Sequence, residues 1–142
     1  MRWWRYLWAA PTTAVGLLVA LLALATGGRV RRVRGVLECW GGAPRFLLAR
    51  RPFRASAITL GHVVVGESDH ALDRCRAHEL VHVRQAERWG PLFILAYLAA
   101  GLWAHLRGRH HYHDNPFEAE ARKHEIEAGK QGATSPADGL DR

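Results

Sequence analysis

Two histidines stand at a spacing that can hold a zinc ion, and a glutamate follows the first of them. The sequence reads His78-Glu79-Leu80-Val81-His82, so the histidines are four residues apart. On an α-helix such residues share one face, and both imidazoles can bind one cation. Zinc held by two imidazoles and one carboxylate keeps a fourth position for water, whose pKa the ion lowers to about 7. Glu79 is then expected to act as the general base and not as a ligand.

The residues around this motif predict the helix that the chemistry requires. Ser68 or Asp69 can cap its start, Gly90-Pro91 is a stop signal, and helix-forming periodicity lies between them. The same short pattern also occurs by chance on ordinary surface helices, so a purely structural helix is the alternative. The context favours zinc binding.

A zinc site needs a third protein ligand, and the sequence offers two candidates. A third histidine six residues after His82 is absent, because that position is Arg88. Glu118 and Glu120 open the next predicted helix, directly after Asn115-Pro116. A second helix packed against the first can bring one of these two carboxylates to the ion.

The order of these elements resembles that of small membrane-associated gluzincin-like zinc metallopeptidases. A β-branched strand that ends in residues 59–65, the HExxH motif followed by Gln85, an apolar helix and the run Asn115–Ala121 carry the resemblance, which covers residues 57–122. In that family a glutamate that begins a Glu-x-x-x-Asp stretch is the third ligand. The resemblance therefore implies Glu118 as the third ligand here, with Glu120 as the alternative.

The chain departs from the family pattern at Arg122, which stands where the family has aspartate. That aspartate is expected to orient a metal-bound imidazole, a role on which metal affinity depends. An arginine cannot accept the hydrogen bond. The resemblance thus implies that Asp73, Glu87 or Asp114 takes over this role, or that the site is weakened.

An uncharged segment near the N-terminus is long enough to cross a membrane. Residues 6–26 carry no charge, and at about 1.5 Å per residue a helix of this length covers the roughly 30 Å hydrocarbon core. Trp3, Trp4, Tyr6 and Trp8 would lie at the interface. We expect an uncleaved anchor, with a signal peptide cleaved after Ala23-Leu24-Ala25 as the alternative. Four arginines follow the segment and two precede it, which favours a cytoplasmic body.

Positive charge is concentrated directly after this segment. The chain carries a formal net charge of +7, and residues 29–54 contain eight arginines against one acid, Glu38. Such a stretch can bind nucleic acid or anionic lipid head groups. Its place beside an apolar segment predicts membrane lipid as the partner and no nucleic acid. The two cysteines, Cys39 and Cys75, do not indicate a disulfide framework.

Between the anchor and the motif the sequence predicts a small antiparallel sheet. Residues 33–40 and 45–49 flank a Gly-Gly-Ala-Pro turn, which is a hairpin signal, and residues 57–65 form a β-branched run with a bend at Gly61. His62 is expected to be an ordinary strand side chain. The alternative is that it binds an oxyanion across the cleft.

Three segments follow the motif helix. Residues 92–106 are apolar but shorter than the roughly 20 residues of a membrane span. A tilted span, a re-entrant helix and a core helix packed on residues 12–26 are the alternatives, and we expect a helix in or against the membrane. Residues 107–116 are a polar loop whose three histidines, His110, His111 and His113, are expected to be solvated and not metal-bound.

The sequence therefore predicts a mostly helical α+β protein with a transmembrane N-terminal helix. The expected parts are a membrane anchor over 1–28, a gluzincin-like minidomain over 29–128 and a disordered tail over 129–142. The expected function is a membrane-anchored zinc metallopeptidase that cleaves a peptide or protein near the bilayer. Two alternatives remain open: a non-catalytic membrane protein stabilised by zinc, and a basic lipid-associating protein in which the motif is coincidental.

Overall fold

The computed structural model describes residues 3–50 and 55–133, which form a mostly helical α+β fold with a four-stranded sheet. The helices are α1 (Trp3–Trp8), α2 (Ala10–Ala25), α3 (Gly42–Ala49), α4 (Asp69–Trp89), α5 (Phe93–Leu106) and α6 (Pro116–Ala133). The strands are β1 (Arg29–Val33), β2 (Val36–Trp40), β3 (Ala57–Leu60) and β4 (Val63–Gly66). The prediction of a mostly helical α+β protein with a small sheet is confirmed.

The sheet is mixed, so the prediction of an antiparallel sheet is wrong at its centre. The strand order is β1-β2-β4-β3. The two outer pairs are antiparallel, while β2 and β4 run parallel with Leu37 opposite Val63. A parallel pair needs a crossover of a dozen or more residues, and the chain between β2 and β4 supplies it.

The predicted second strand over residues 45–49 is wrong, because these residues belong to α3. Gly41 and Gly42 adopt φ angles of 78° and 60°, which end β2 and turn the chain. The backbone N–H of Ala43 then donates to Thr26 Oγ1 over 2.7 Å at the start of α3. The hairpin itself is a two-residue turn at Arg34-Gly35, with φ angles of 50° and 85°.

The predicted bend at Gly61 is confirmed, since it divides the β-branched run into β3 and β4. Gly61 has a φ of 64°. A Cβ atom there would lie 2.6 Å from the backbone nitrogen of Thr13, so α2 also requires glycine at this turn.

Helix α2 packs on the sheet through its small residues. Its buried positions are Thr12, Gly16, Ala20 and Ala23, and a Cβ atom at Gly16 would lie 2.6 Å from Val63 Cβ. Ala20 and Ala23 share a hydrophobic cluster with residues of β2, α3 and β4. The large side chains of α2 are on its other face, and Leu18 is 67% exposed.

Helix α4 begins and ends where the sequence predicts. Ser68 Oγ accepts a hydrogen bond from the backbone N–H of Ala71 over 3.1 Å, and Gly90, with a φ of 59°, ends the helix. One face of α4 packs on the sheet through Leu72 and Val83. Helix α6 lies along another face, and this pairing of α4 with α6 positions the site described below.

The leucines of α5 point outward. Leu95, Leu98 and Leu106 are 65%, 60% and 73% exposed, while its buried residues are Phe93, Gly101 and Ala104. The continuous helical segment Asp69–Leu106 contains an 18-residue window of mean hydropathy 1.4, long and apolar enough to cross a membrane by composition. Its apolar part is α5, because α4 is polar.

Helix α6 extends beyond the predicted end at Ala128, through Ala133. The remainder of the expected tail, residues 134–142, lies outside the described residues, as do Arg51 and Arg54 of the basic stretch.

Candidate metal centre

Helices α4 and α6 bring three ligand atoms together. His78 Nε2 lies 3.0 Å from Glu118 Oε2, His82 Nε2 lies 3.3 Å from Glu118 Oε1, and the two Nε2 atoms are 3.1 Å apart. The histidines stand one turn apart on α4, and Glu118 lies in the first turn of α6. Among the residues that the structure describes, these three alone form a group of potential metal ligands of this kind.

The separations of these atoms fit a zinc ion. Zinc binds nitrogen and oxygen at about 2.0–2.1 Å, so two ligand atoms of a tetrahedral site lie about 3.3 Å apart. The distance between the two Nε2 atoms and the distance from each of them to its nearer Glu118 oxygen, Oε2 for His78 and Oε1 for His82, are all close to this value. Two imidazole nitrogens that both lack a proton would repel at such a distance, whereas a cation between them removes the repulsion. The His₂Glu donor set is also that of catalytic zinc sites with one open position.

The three ligands are buried, with His78, His82 and Glu118 at 9%, 7% and 3% exposure. Burial alone would raise the pKa of Glu118, but its hydrogen bonds with His78, His82 and Tyr97 outweigh burial and hold that pKa well below its usual range. The hydrogen bond with Glu118 raises the pKa of His78. In the metal-free protein an anionic carboxylate thus attracts a proton to the imidazoles, and a metal ion would displace it.

Glu79 lies beside the ligands with a different partner. Its Oε2 accepts a hydrogen bond from Thr59 Oγ1 of β3 over 2.6 Å, and the residue is 7% exposed. Burial raises the pKa of Glu79, and the charge of His82 opposes that rise. A carboxylate with a raised pKa is suited to take up and release a proton.

Gln85 fixes the orientation of the His82 ring. Its Oε1 lies 2.8 Å from His82 Nδ1, so the Nδ1–H can donate to it and leave Nε2 free for a metal. The Gln85 amide nitrogen donates to Glu120 Oε2 over 2.8 Å and to the Phe117 carbonyl over 3.1 Å. Gln85 is 2% exposed and joins α4 to the start of α6.

Two further side chains hold the other ligands. Tyr97 Oη donates to Glu118 Oε1 over 2.7 Å, and Glu125 Oε2 lies 3.4 Å from His78 Nδ1. Glu125 follows Glu118 by two helical turns, on the same face of α6. The carboxylate expected at position 122 is thus replaced by one further along this helix.

The three acids expected to substitute for the family aspartate are engaged elsewhere, so that expectation is wrong. Asp73 pairs with Arg31 and Arg76. Glu87 pairs with His62, and Asp114 accepts from the backbone N–H of His110. The sequence could have predicted Gln85 as the partner of His82, because it lies three positions after His82 and therefore about one helical turn away.

The remaining candidates lie apart from the three ligand atoms. Glu120 bonds Gln85 and not the imidazoles, so the structure brings Glu118 to them. The expectation that His62 is a strand side chain is wrong, because His62 lies in the turn between β3 and β4. Its imidazole contacts Thr13 and Glu87, which are residues of other elements.

The polar loop and Arg122 do not add a metal ligand. His110 and His111 stack with ring centroids 4.8 Å apart, without forming a ligand group within the described residues. Arg122 donates through Nη2 to the His113 carbonyl, and its buried Nη1 has no partner among the residues described.

No family model, curated protein or solved structure matches this chain.

Proposed function

We propose that this protein is a zinc-dependent metallopeptidase associated with a membrane. The observation that carries the proposal is the convergence of His78 Nε2, His82 Nε2 and the Glu118 carboxylate, whose two oxygens lie 3.0 Å from His78 Nε2 and 3.3 Å from His82 Nε2. These separations are close to the edge length of a zinc tetrahedron. Glu79 is the neighbouring carboxylate that such a site needs for hydrolysis.

Each side chain has a definite role in this proposal. His78, His82 and Glu118 would hold the ion, which as a Lewis acid would polarise the peptide carbonyl and acidify water. Glu79 would take a proton from the attacking water at its carboxylate and pass it to the leaving amine. Thr59, which donates to Glu79 Oε2, would hold that carboxylate in place.

The position of β3 at the edge of the sheet favours a peptide as the substrate. This strand is the last of the sheet and is paired with β4 on one side only among the described residues. An extended peptide can bind to such an edge through backbone hydrogen bonds. Because Thr59 of β3 contacts Glu79, a peptide added there would lie next to the catalytic carboxylate.

The outward faces of α1, α2 and α5 support membrane association. Large apolar side chains on these helices are exposed, among them Trp3, Leu18, Leu21 and Leu98 at 64%, 67%, 61% and 60%. Large exposed apolar surface on a protein is typical of a face that contacts a membrane or a partner protein. The proposed substrate is therefore a peptide or protein segment close to the bilayer.

Exchange of Glu79 for glutamine tests the catalytic role. The amide keeps the shape of the side chain but cannot accept the proton, so Glu79→Gln should retain zinc and lose at least about 100-fold in peptide hydrolysis. Glu67→Gln, at an exposed glutamate before α4, is the matched control and should leave hydrolysis unchanged. Activity of Glu79→Gln equal to that of the parent protein would contradict the proposal.

One observation favours a second function, a non-catalytic zinc clamp. The ligands are almost fully buried and join α4 to α6, so a metal would link the two helices. In that case chelation would unfold the protein, and no variant of Glu79 would change a hydrolytic rate. Hydrolysis that is present in the parent protein and lost in Glu79→Gln would exclude the clamp as the sole function.

A further inference from the structure

A second concave site lies on the face of α4 opposite the metal ligands. It is a cavity of about 220 Å³ between α1, the β1–β2 turn, the β3–β4 turn and α4. Its α4 wall includes Leu80, Arg84 and Glu87. At 3.6 residues per turn these positions point away from the side of the helix that carries His78 and His82. The cavity is therefore separate from the proposed active site.

Two arginines line this cavity without a carboxylate partner. Arg34 comes from the β1–β2 turn and Arg84 from α4, and both are exposed at its mouth. Arg84 Nε donates to the carbonyl of Leu80 in its own helix, over 3.3 Å. Within the part of the chain that the structure describes, neither guanidinium forms an ion pair. Their forked N–H groups are thus available to an anion.

The one acid in the cavity wall is already neutralised. Glu87 Oε1 lies 3.2 Å from His62 Nε2, and Oε2 lies 3.5 Å from Arg5 Nη1. Tyr6 stacks on the His62 ring with centroids 4.4 Å apart, which fixes this wall. The uncompensated charge of the cavity is consequently that of Arg34 and Arg84.

The backbone conformation of Arg34 in the β1–β2 turn is unfavourable for stability. Arg34 has a φ of 50°, a left-handed conformation that asparagine, aspartate or glycine adopts at lower cost in a two-residue hairpin turn. Packing gives no compensation, because the side chain is exposed. Strained backbone positions of this kind cluster at functional sites, ligand clamps among them.

The cavity adjoins the aromatic helix α1. Tyr6 of α1 is part of its wall, and Trp3 and Trp4 of the same helix are 64% and 52% exposed. Exposed tryptophans of an apolar segment sit at the depth of lipid head groups. A volume of about 220 Å³ equals that of roughly seven waters, which is enough for a phosphate group and small for a drug-sized ligand.

We propose that this cavity binds the phosphate of an anionic phospholipid head group, held by Arg34 and Arg84. Arginine forks bind phosphate through paired hydrogen bonds, and the neighbouring exposed tryptophans would bring this face of the protein to the depth of lipid phosphates. The proposal requires no metal, so it stands or falls independently of the peptidase.

Calorimetric titration of the full chain in a non-ionic detergent tests this site. The probes are dihexanoyl phosphatidylglycerol, dihexanoyl phosphatidylcholine with the same acyl chains, and inorganic phosphate. We expect saturable binding of the phosphatidylglycerol, weaker binding of the other two, and an affinity reduced on the order of tenfold in Arg34→Asn and in Arg84→Gln. Arg34→Asn suits the turn better than arginine, so this variant should remain folded.

The matched control is Arg74→Gln, an exposed arginine of α4 outside the cavity, and its affinity should stay within about twofold of the parent value. An equal loss in Arg74→Gln would overturn the proposal, because the effect would then be general electrostatic attraction. Equal affinity for the two lipids would overturn it as well. Inorganic phosphate that binds as tightly as the phosphatidylglycerol would show that the site takes the free anion and not a head group.

Discussion

The orientation of a single imidazole depends on one amide. Gln85 accepts from His82 Nδ1–H and donates to the first turn of α6, so it sets the tautomer of a proposed ligand and the position of the helix that carries another. A glutamine does this without adding charge to a site that already contains two carboxylates, Glu79 and Glu118.

Removal of this amide should weaken metal binding. In Gln85→Leu the buried Nδ1–H of His82 loses its acceptor, and zinc affinity should fall about 10–100-fold. Gln85→Glu restores the acceptor for His82 but sets a carboxylate against Glu120 and the Phe117 carbonyl, so it should recover only part of the affinity. Arg74→Gln, at an exposed arginine of the same helix, serves as the control. Competition with a chromophoric chelator measures the zinc affinity of all four proteins. Zinc affinity in Gln85→Leu equal to that of the parent protein would show that Gln85 does not position the ligand.

The residues of the site differ in how far sequence could predict them. His78, Glu79 and His82 follow from spacing within one helix, because helical geometry places residues four apart on one face. The choice of Glu118 over Glu120 depends on how α6 rotates against α4, which local sequence does not encode. Glu125, which lies 3.4 Å from His78 Nδ1, is outside the expected stretch and one turn beyond Arg122 on the same helix.

At the scale of elements, the sequence predicts helix and strand boundaries best where a glycine ends the element. Gly61 ends β3 and Gly90 ends α4, as the sequence predicts, because glycine adopts a positive φ at little conformational cost. The sequence predicts a hairpin turn at Gly41-Gly42, yet the helix α3 begins at Gly42. That outcome depends on Thr26, distant in sequence, which accepts from the Ala43 backbone at the start of α3. The parallel pairing of β2 with β4 is equally non-local.

One buried acid ties the sheet to α4. Glu38 of β2 is 3% exposed and accepts from Arg31 Nε over 2.7 Å and from Arg76 Nε over 2.8 Å. Burial raises the pKa of Glu38, but the hydrogen bonds from Arg76 and then Arg31 outweigh it, and the pKa lies below its usual value. This network lies apart from the metal ligands.

The Glu38 network should make stability sensitive to acid. Because the folded pKa is below the unfolded value near 4.5, the network stabilises the fold fully above that pH and less as pH falls through the folded pKa. Glu38→Gln should lower the free energy of unfolding at pH 7 by about 3 kcal/mol. Its loss of stability between pH 5 and pH 3 should be smaller than that of the parent protein. Urea unfolding at both pH values measures this, and equal acid sensitivity of the two proteins would contradict it.

At the scale of the whole molecule, the hydrophobic surface is divided between two sides of α2. Small residues face the sheet, as Gly16 does against Val63, and leucines face outward. The sequence predicts an apolar helix but not this division, because its composition is the same for a free span and for a packed helix. The proposed anchor consequently shares its core with the rest of the fold.

Charges placed on the outward faces should reduce membrane association. An aspartate within the hydrocarbon core costs about 2.5–3.5 kcal/mol, so Leu18→Asp and Leu98→Asp should each decrease the fraction that remains with membranes after alkaline extraction. Ile126→Asp, at a residue 59% exposed on the polar helix α6, should leave that fraction unchanged. Parent protein recovered as a soluble monomer would contradict membrane association, and a soluble dimer would assign the apolar faces to a second copy.

Zinc content per chain tests the metal centre most directly. Purified parent protein should contain one zinc ion, as should Glu120→Ala and His70→Ala, at an exposed histidine of α4, whereas Glu118→Ala and His82→Ala should contain none. A parent protein without zinc, or zinc retained in Glu118→Ala and lost in Glu120→Ala, would contradict the assignment of His78, His82 and Glu118 as the ligands.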